Sequence, residues 1–113
     1  MEAAFVITWT QPVPGREQKS LEYAAEAGAF WTQKAREGKC SEPEMFFGET
    51  GVGLWMIKGD HDVLAELIET EEVQLLTMKG VLLLRDFTAN LYRTGEAAEQ
   101  FLATFGKALQ TLG

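Results

Sequence analysis

This 113-residue chain has one cysteine, one histidine and three prolines. Cys40 cannot form an internal disulfide, so the fold must be held by its core, and the chain suits a reducing compartment. Basic charge is scarce. Ten Lys and Arg face seventeen Asp and Glu, for a formal charge of −7 and an isoelectric point near 4.7. The basic residues are scattered, which argues against a protein that lives on phosphate backbones and so against a nucleic-acid partner. No apolar run approaches the roughly 20 residues of a membrane span. Met1-Glu2-Ala3-Ala4-Phe5 lacks the basic start and long apolar stretch of a signal peptide. Repeats, linkers and low-complexity segments are also missing. These absences leave one expectation: a soluble cytoplasmic protein of one ordinary domain, whose 46% hydrophobic content fills one core.

What is present begins with a strand. From Ala3 to Thr10, Phe5, Ile7 and Trp9 share one face at period two, with Val6, Thr8 and Thr10 on the other. Gln11-Pro12-Val13-Pro14-Gly15 removes two backbone donors and ends it. A helix is predicted from Arg16 to Glu37. Its stripe is Leu21, Ala24, Gly28, Trp31 and Ala35, widened by Tyr23, Ala27 and Phe30. Small residues along it allow close approach to a sheet, and Gly38 is placed to stop it. Glu44 to Gly48 reads as a second strand, and Glu49-Thr50-Gly51 as a hairpin connection.

The third strand, Val52 to Lys58, organises the rest. Val52, Leu54 and Met56 face one way, Trp55 and Ile57 the other, so both faces require cover. Gly59-Asp60 ends it, and Asp60 caps a helix through Val63, Leu64, Leu67 and Ile68. Thr70-Glu71-Glu72 is a fresh cap, which predicts a restart and a second short helix that Gly80 stops. Val81 to Asn90 reads as the fourth strand, apolar on both faces in its first half. A final amphipathic helix follows Thr94, with Ala98, Phe101, Leu102, Phe105, Leu109 and Leu112 at helical spacing. It either closes an edge of its own sheet or reaches a neighbour.

The order strand, helix, strand, strand, helix, strand is the split βαβ arrangement: an α+β fold with a four-stranded antiparallel sheet, helices on one face, and an added C-terminal helix. The expected division is residues 1–93 for this unit and 94–113 for the helix. The sheet's second face is left apolar, and the economical cover is the same face of a second copy. With Pro14-Gly15-Arg16-Glu17 at the helix start, Gly53 to Lys58-Gly59-Asp60 at the strand exit and Glu71-Glu72-Val73-Gln74 in the second helix, the chain resembles the dimeric α/β-barrel superfamily. It is similar in particular to a group of small bacterial proteins of that type. The resemblance covers about residues 3 to 93. It implies a ferredoxin-like βαββαβ subunit, a homodimer packed sheet to sheet, and a ligand held between sheet and helices.

His61 is the first candidate site residue. The resemblance implies a general base or iron ligand, as in the superfamily's monooxygenases, with Trp9 and Trp55 lining the pocket. Haem-degrading members carry a strand asparagine where this chain offers Thr8 and Thr10. Against this, a helix N-terminus disfavours a protonated histidine and tends to be exposed, which makes His61 a solvated first-turn residue. Asp60-His61-Asp62 suggests a metal cluster, but adjacent helical residues point about 100° apart and make poor joint ligands, so no metal is expected. The aromatic set that includes Trp9, Trp31 and Trp55 lines either an apolar ligand pocket or plain core. Arg85 and Asp86 fall in the fourth strand, where one of them must face a covered side and need a partner or a wet cavity. They mark a polar spot in the barrel or the place where the strand leaves the core. Cys40 is a bystander rather than a nucleophile.

Two functions follow. One is a homodimer that binds a small apolar or aromatic molecule at Trp9, Trp31, Trp55 and Arg85, without a cofactor. Its enzymatic extension is monooxygenase- or isomerase-like chemistry with His61 as base. The other is a structural or regulatory interaction module whose cavity is filled by its own side chains.

Overall fold

The structure, a computed structural model, describes residues 2–113. Strand β1 (Glu2–Trp9) runs down the middle of a four-stranded antiparallel sheet. On one side it pairs with β4 (Gly53–Asp60), which in turn carries β3 (Glu44–Phe47) at the edge. On its other side lies β6 (Thr88–Arg93). Helix α1 (Glu17–Arg36) connects β1 to β3, while α2 (His61–Ile68) and α3 (Glu71–Leu83) connect β4 to β6. The sheet order and crossovers are those of the ferredoxin-like fold.

Period two in β1 and β4 separates the faces. Phe5, Ile7, Trp55 and Ile57 form one core with Tyr23, Ala27 and Trp31 of α1 and with Leu64, Leu67, Val73 and Leu76 of α2 and α3. The opposite face carries Val6, Leu54 and Met56, half-buried, and Phe46, exposed. Trp55 therefore sits under the helices, and its alternates Leu54 and Met56 are the ones left open.

Local signals behave as their chemistry requires. The Asp60 carboxylate accepts from the backbone N–H groups of Asp62 and Val63 at 3.1 and 3.3 Å, which starts α2. Thr70 accepts from Val73 N–H at 3.4 Å and restarts the chain as α3. Gly38, at φ +78°, supplies the left-handed residue after α1.

Three expectations need correction. The buried line of α1 is Ser20, Tyr23, Ala27 and Trp31, while Leu21 is exposed. The apolar spacing had two nearly equal registers, and packing chose the one through Tyr23. Gly80 does not stop α3, which continues to Leu83. A methyl there would fall inside the ring of Phe87, so Gly80 is small because Phe87 folds back onto it. Finally, residues 81–90 are not one strand. Leu84–Arg85 (β5) makes a two-residue ladder with Gln11–Pro12 (β2), Asp86 turns the chain at φ +53°, and β6 begins only at Thr88. Asp86 accepts from the Thr10 hydroxyl at 2.8 Å across that turn. Arg85 and Asp86 are both exposed, so neither charge faces a covered side.

Helix α4 (Gly95–Thr111) meets β1 and β6 near the buried Ala97, and Arg93 lies over the Phe101 ring at 5.0 Å. Beyond that it carries Leu102, Phe105, Leu109 and Leu112 exposed. No described helix is long and apolar enough to cross a membrane.

Candidate functional site

The site grows out of the end of the sheet where β1 stops and β4 begins. Trp9 and Gly53 are direct partners across the two strands. Because Gly53 has no side chain, the Trp9 indole lies flat over it; a Cβ there would overlap the ring. Trp9 then meets Phe47 at 6.0 Å between centroids, and Trp55 at 6.5 Å and 71°, an edge-on contact. From above, α1 contributes Ser20, Tyr23, Ala24 and Ala27, small enough between Tyr23 and Leu21 to leave a gap over the strands. The result is an apolar cavity of about 310 Å³ between α1 and the sheet, with Pro12 and Leu84 closing one wall. That volume lies at the small end of ligand pockets, which run from about 300 to 1,000 Å³.

Few polar groups reach it. The Ser20 hydroxyl donates to the Arg16 carbonyl at 2.9 Å and lies 3.3 Å from the Leu83 carbonyl, so it is occupied. Glu17 stands at the lining with its carboxylate accepting from Gly15 N–H at 2.9 and 3.0 Å. Tyr23 is only 8% exposed, and burial, aided by the Glu26 carboxylate, pushes its phenol up to about 12. It is therefore a neutral hydroxyl across the physiological range. In a spectrophotometric titration, one of the two tyrosines is expected to ionise late, near pH 12, and Tyr23→Phe to remove that step. An unfolded chain releases this proton near pH 10, so stability should fall between pH 10 and 12 as the folded form holds it against the gradient.

The structure divides the residues picked out from sequence. Trp9 and Trp55 line the cavity. Trp31 does not: it is 1% exposed in the core, tilted against Phe5 at 5.6 Å and edge-on to Phe30 at 5.1 Å. Arg85 is exposed and outside the cavity's lining, and its backbone carbonyl accepts from Thr10 N–H at 3.0 Å. His61 follows the far end of β4, roughly 23 Å along the strand from Gly53 at about 3.3 Å per residue. Its Nδ1 lies 3.3 Å from the exposed Asp62 carboxylate, beside the capping Asp60. Among the described residues, no three His, Cys, Asp or Glu side chains gather as a metal site. Burial pushes the Cys40 thiol up, partly opposed by Lys34, which keeps it from being an activated thiolate. Ser20 and Tyr23, the uncharged polar side chains at the lining, carry a signal in the sequence only through the helical spacing 20, 23, 27, 31.

The chain thus has a ferredoxin-like α+β fold with a small apolar cavity under its first helix. No family model and no curated protein matches it by sequence. Solved structures do match its fold. Rv0793 from Mycobacterium tuberculosis superposes with a TM-score of 0.66 at 13% identity, over 84% of this chain and 96% of that one. A protein of unknown function from Bacteroides fragilis, described as dimeric and ferredoxin-like, gives 0.55 at 10% identity over 82% and 96%. A third, from Bacteroides thetaiotaomicron and described as a possible oxidoreductase, gives 0.62 at 16% over 82% and 96%. The chain is similar in structure to this group of small, largely bacterial proteins. The share of it left over in these matches is about the length of α4.

Proposed function

We propose that the chain is a homodimeric binding protein that takes up one small apolar or aromatic molecule between α1 and the sheet. The cavity of about 310 Å³ walled by Trp9 and Trp55 carries this reading. A core that existed only to be filled would place side chains there, because a void forfeits packing contacts on every wall. His61 and Arg85 stand outside it and have no part in holding the ligand. The test is a titration with naphthalene followed by tryptophan fluorescence, since two of the three tryptophans line the site. Quenching that saturates supports the reading. Ala24→Phe, which plugs the cavity from a half-buried position, is expected to weaken binding by at least tenfold with the fold intact by circular dichroism. Unquenched fluorescence in the wild type would overturn it.

The dimer in this proposal forms through the sheet face that carries Val6, Phe46, Leu54 and Met56. An uncovered apolar face is its support, together with the dimeric description of the Bacteroides fragilis relative. The exposed stripe of α4 belongs to the same assembly: its own chain covers Ala97 and leaves Phe105, Leu109 and Leu112 for a neighbour.

A further inference from the structure

We infer that the cavity selects an uncharged ligand with an oxygen acceptor, which receives the hydrogen bond of the Trp55 indole N–H; this rests on the ligand-binding reading above. Trp55, the third residue of β4, is 4% exposed. It spans the gap from sheet to helix, since a Cβ at Gly28 of α1 would sit 3.6 Å from its Cη2. Its Nε1 is buried without a hydrogen-bond partner among the described residues. An indole nitrogen only donates, and leaving such a donor unsatisfied costs about 1–3 kcal/mol. Buried tryptophans normally place this group on an acceptor. Among the described residues none is supplied, and the indole that carries this N–H forms part of a cavity wall.

A second polar side chain lines the cavity, although its hydroxyl, unlike the Trp55 N–H, keeps some accessible surface. The Tyr23 hydroxyl also lacks a protein partner among the described residues, although the residue is more than nine-tenths buried and lines the same cavity. A phenol donates or accepts, so an oxygen function on the ligand can engage both groups. Charge sets the remaining limit. Among the described residues, Glu17 is the only charged side chain in the lining, and no Lys or Arg is there to neutralise a carboxylate or phosphate. An anion entering would lose its hydration for an apolar wall and a like charge. The class that remains is a neutral, ring-sized ketone, ether or alcohol.

The test uses three probes of similar size on the purified full chain: 1-tetralone, the hydrocarbon tetralin, and the anion 2-naphthoate, each titrated by calorimetry. Tetralone is expected to bind about tenfold more tightly than tetralin, and naphthoate at least tenfold more weakly than tetralone. Trp55→Phe and, separately, Tyr23→Phe should narrow the ratio of tetralone to tetralin affinity, a ratio in which any change of the apolar wall common to both probes cancels. Equal binding of tetralone and tetralin to the wild type overturns the acceptor site and leaves the apolar cavity standing. Naphthoate binding as tightly as tetralone overturns the selection for neutral ligands. If no probe binds, the cavity reading falls and takes this inference with it. Should Trp55→Phe fail to fold, the wild-type ratio of tetralone to tetralin still decides.

Discussion

Leu54→Asp is expected to leave the protein monomeric at micromolar concentration. Leu54 lies on β4, the inner strand between β1 and the edge, on the face away from the helices. Its pairing sets it between Phe46 of β3 and Thr8 of β1, so it has a neighbour on either side across that face. In the single chain it is only half-buried, and a carboxylate there stays hydrated, at little cost to the monomer. Across a sheet-to-sheet contact, two symmetry-related carboxylates would instead be driven together and dried. Truncation of a well-packed interface residue costs about 2 kcal/mol, roughly thirtyfold in dissociation constant, and a buried like-charge pair adds to this. Light scattering checks it. The wild type should weigh twice 12.6 kDa and the variant once, with unchanged far-ultraviolet dichroism. A wild type that already weighs 12.6 kDa would remove the dimer from the proposal. A variant that stays dimeric would move the interface off this face and onto α4.

Much of this architecture was legible because it rests on local chemistry. Period two in Phe5, Ile7 and Trp9 gave β1, and Asp60 and Thr70 announced the two helix starts that their side chains cap. Where local signals competed, tertiary contacts decided. Val81-Leu82-Leu83-Leu84 suits a strand or a helix, and an apolar run alone does not say which. The choice fell to helix through Leu83, because Phe87 packs on Gly80 and the turn at Asp86 releases the chain into β6. The cavity was half legible. Trp9 and Trp55 share a face by register, but no pattern in the sequence distinguishes a pair of tryptophans that fills space from a pair that frames it. That difference depends on Ala24, Ala27 and Gly53 being small at the same place, and they come from separate elements. Trp31, identical in type, fills the core because α1 carries it about one turn beyond Ala27, the last residue of that helix at the cavity.

Gly53→Ala is expected to remove ligand binding while leaving the fold in place. The glycine stands opposite Trp9 in the antiparallel pair, on the side of the sheet that faces α1. In its absence of a side chain lies the position of the Trp9 ring: a methyl would occupy the space of the indole, so either the ring or the strand must move. The strand is held on both sides by β1 and β3, and the ring borders an open cavity. The ring is therefore the part that yields, and the direction open to it is inward, over the space a ligand would take. Overpacking of this kind costs about 1–3 kcal/mol of stability, which a thermal melt reads directly. The loss of binding should be larger in proportion, at least tenfold for naphthalene, because the displaced indole both removes a wall and fills the void. The emission of Trp9 should shift with its new surroundings. Gly28→Ala is the matched control. A methyl there would meet Trp55 and Met45 at 3.6 and 3.8 Å, ordinary contact distances, so it should leave binding unchanged. If Gly53→Ala destabilises the protein as expected yet binds naphthalene like the wild type, Trp9 is packing alone and the cavity wall that matters is Trp55.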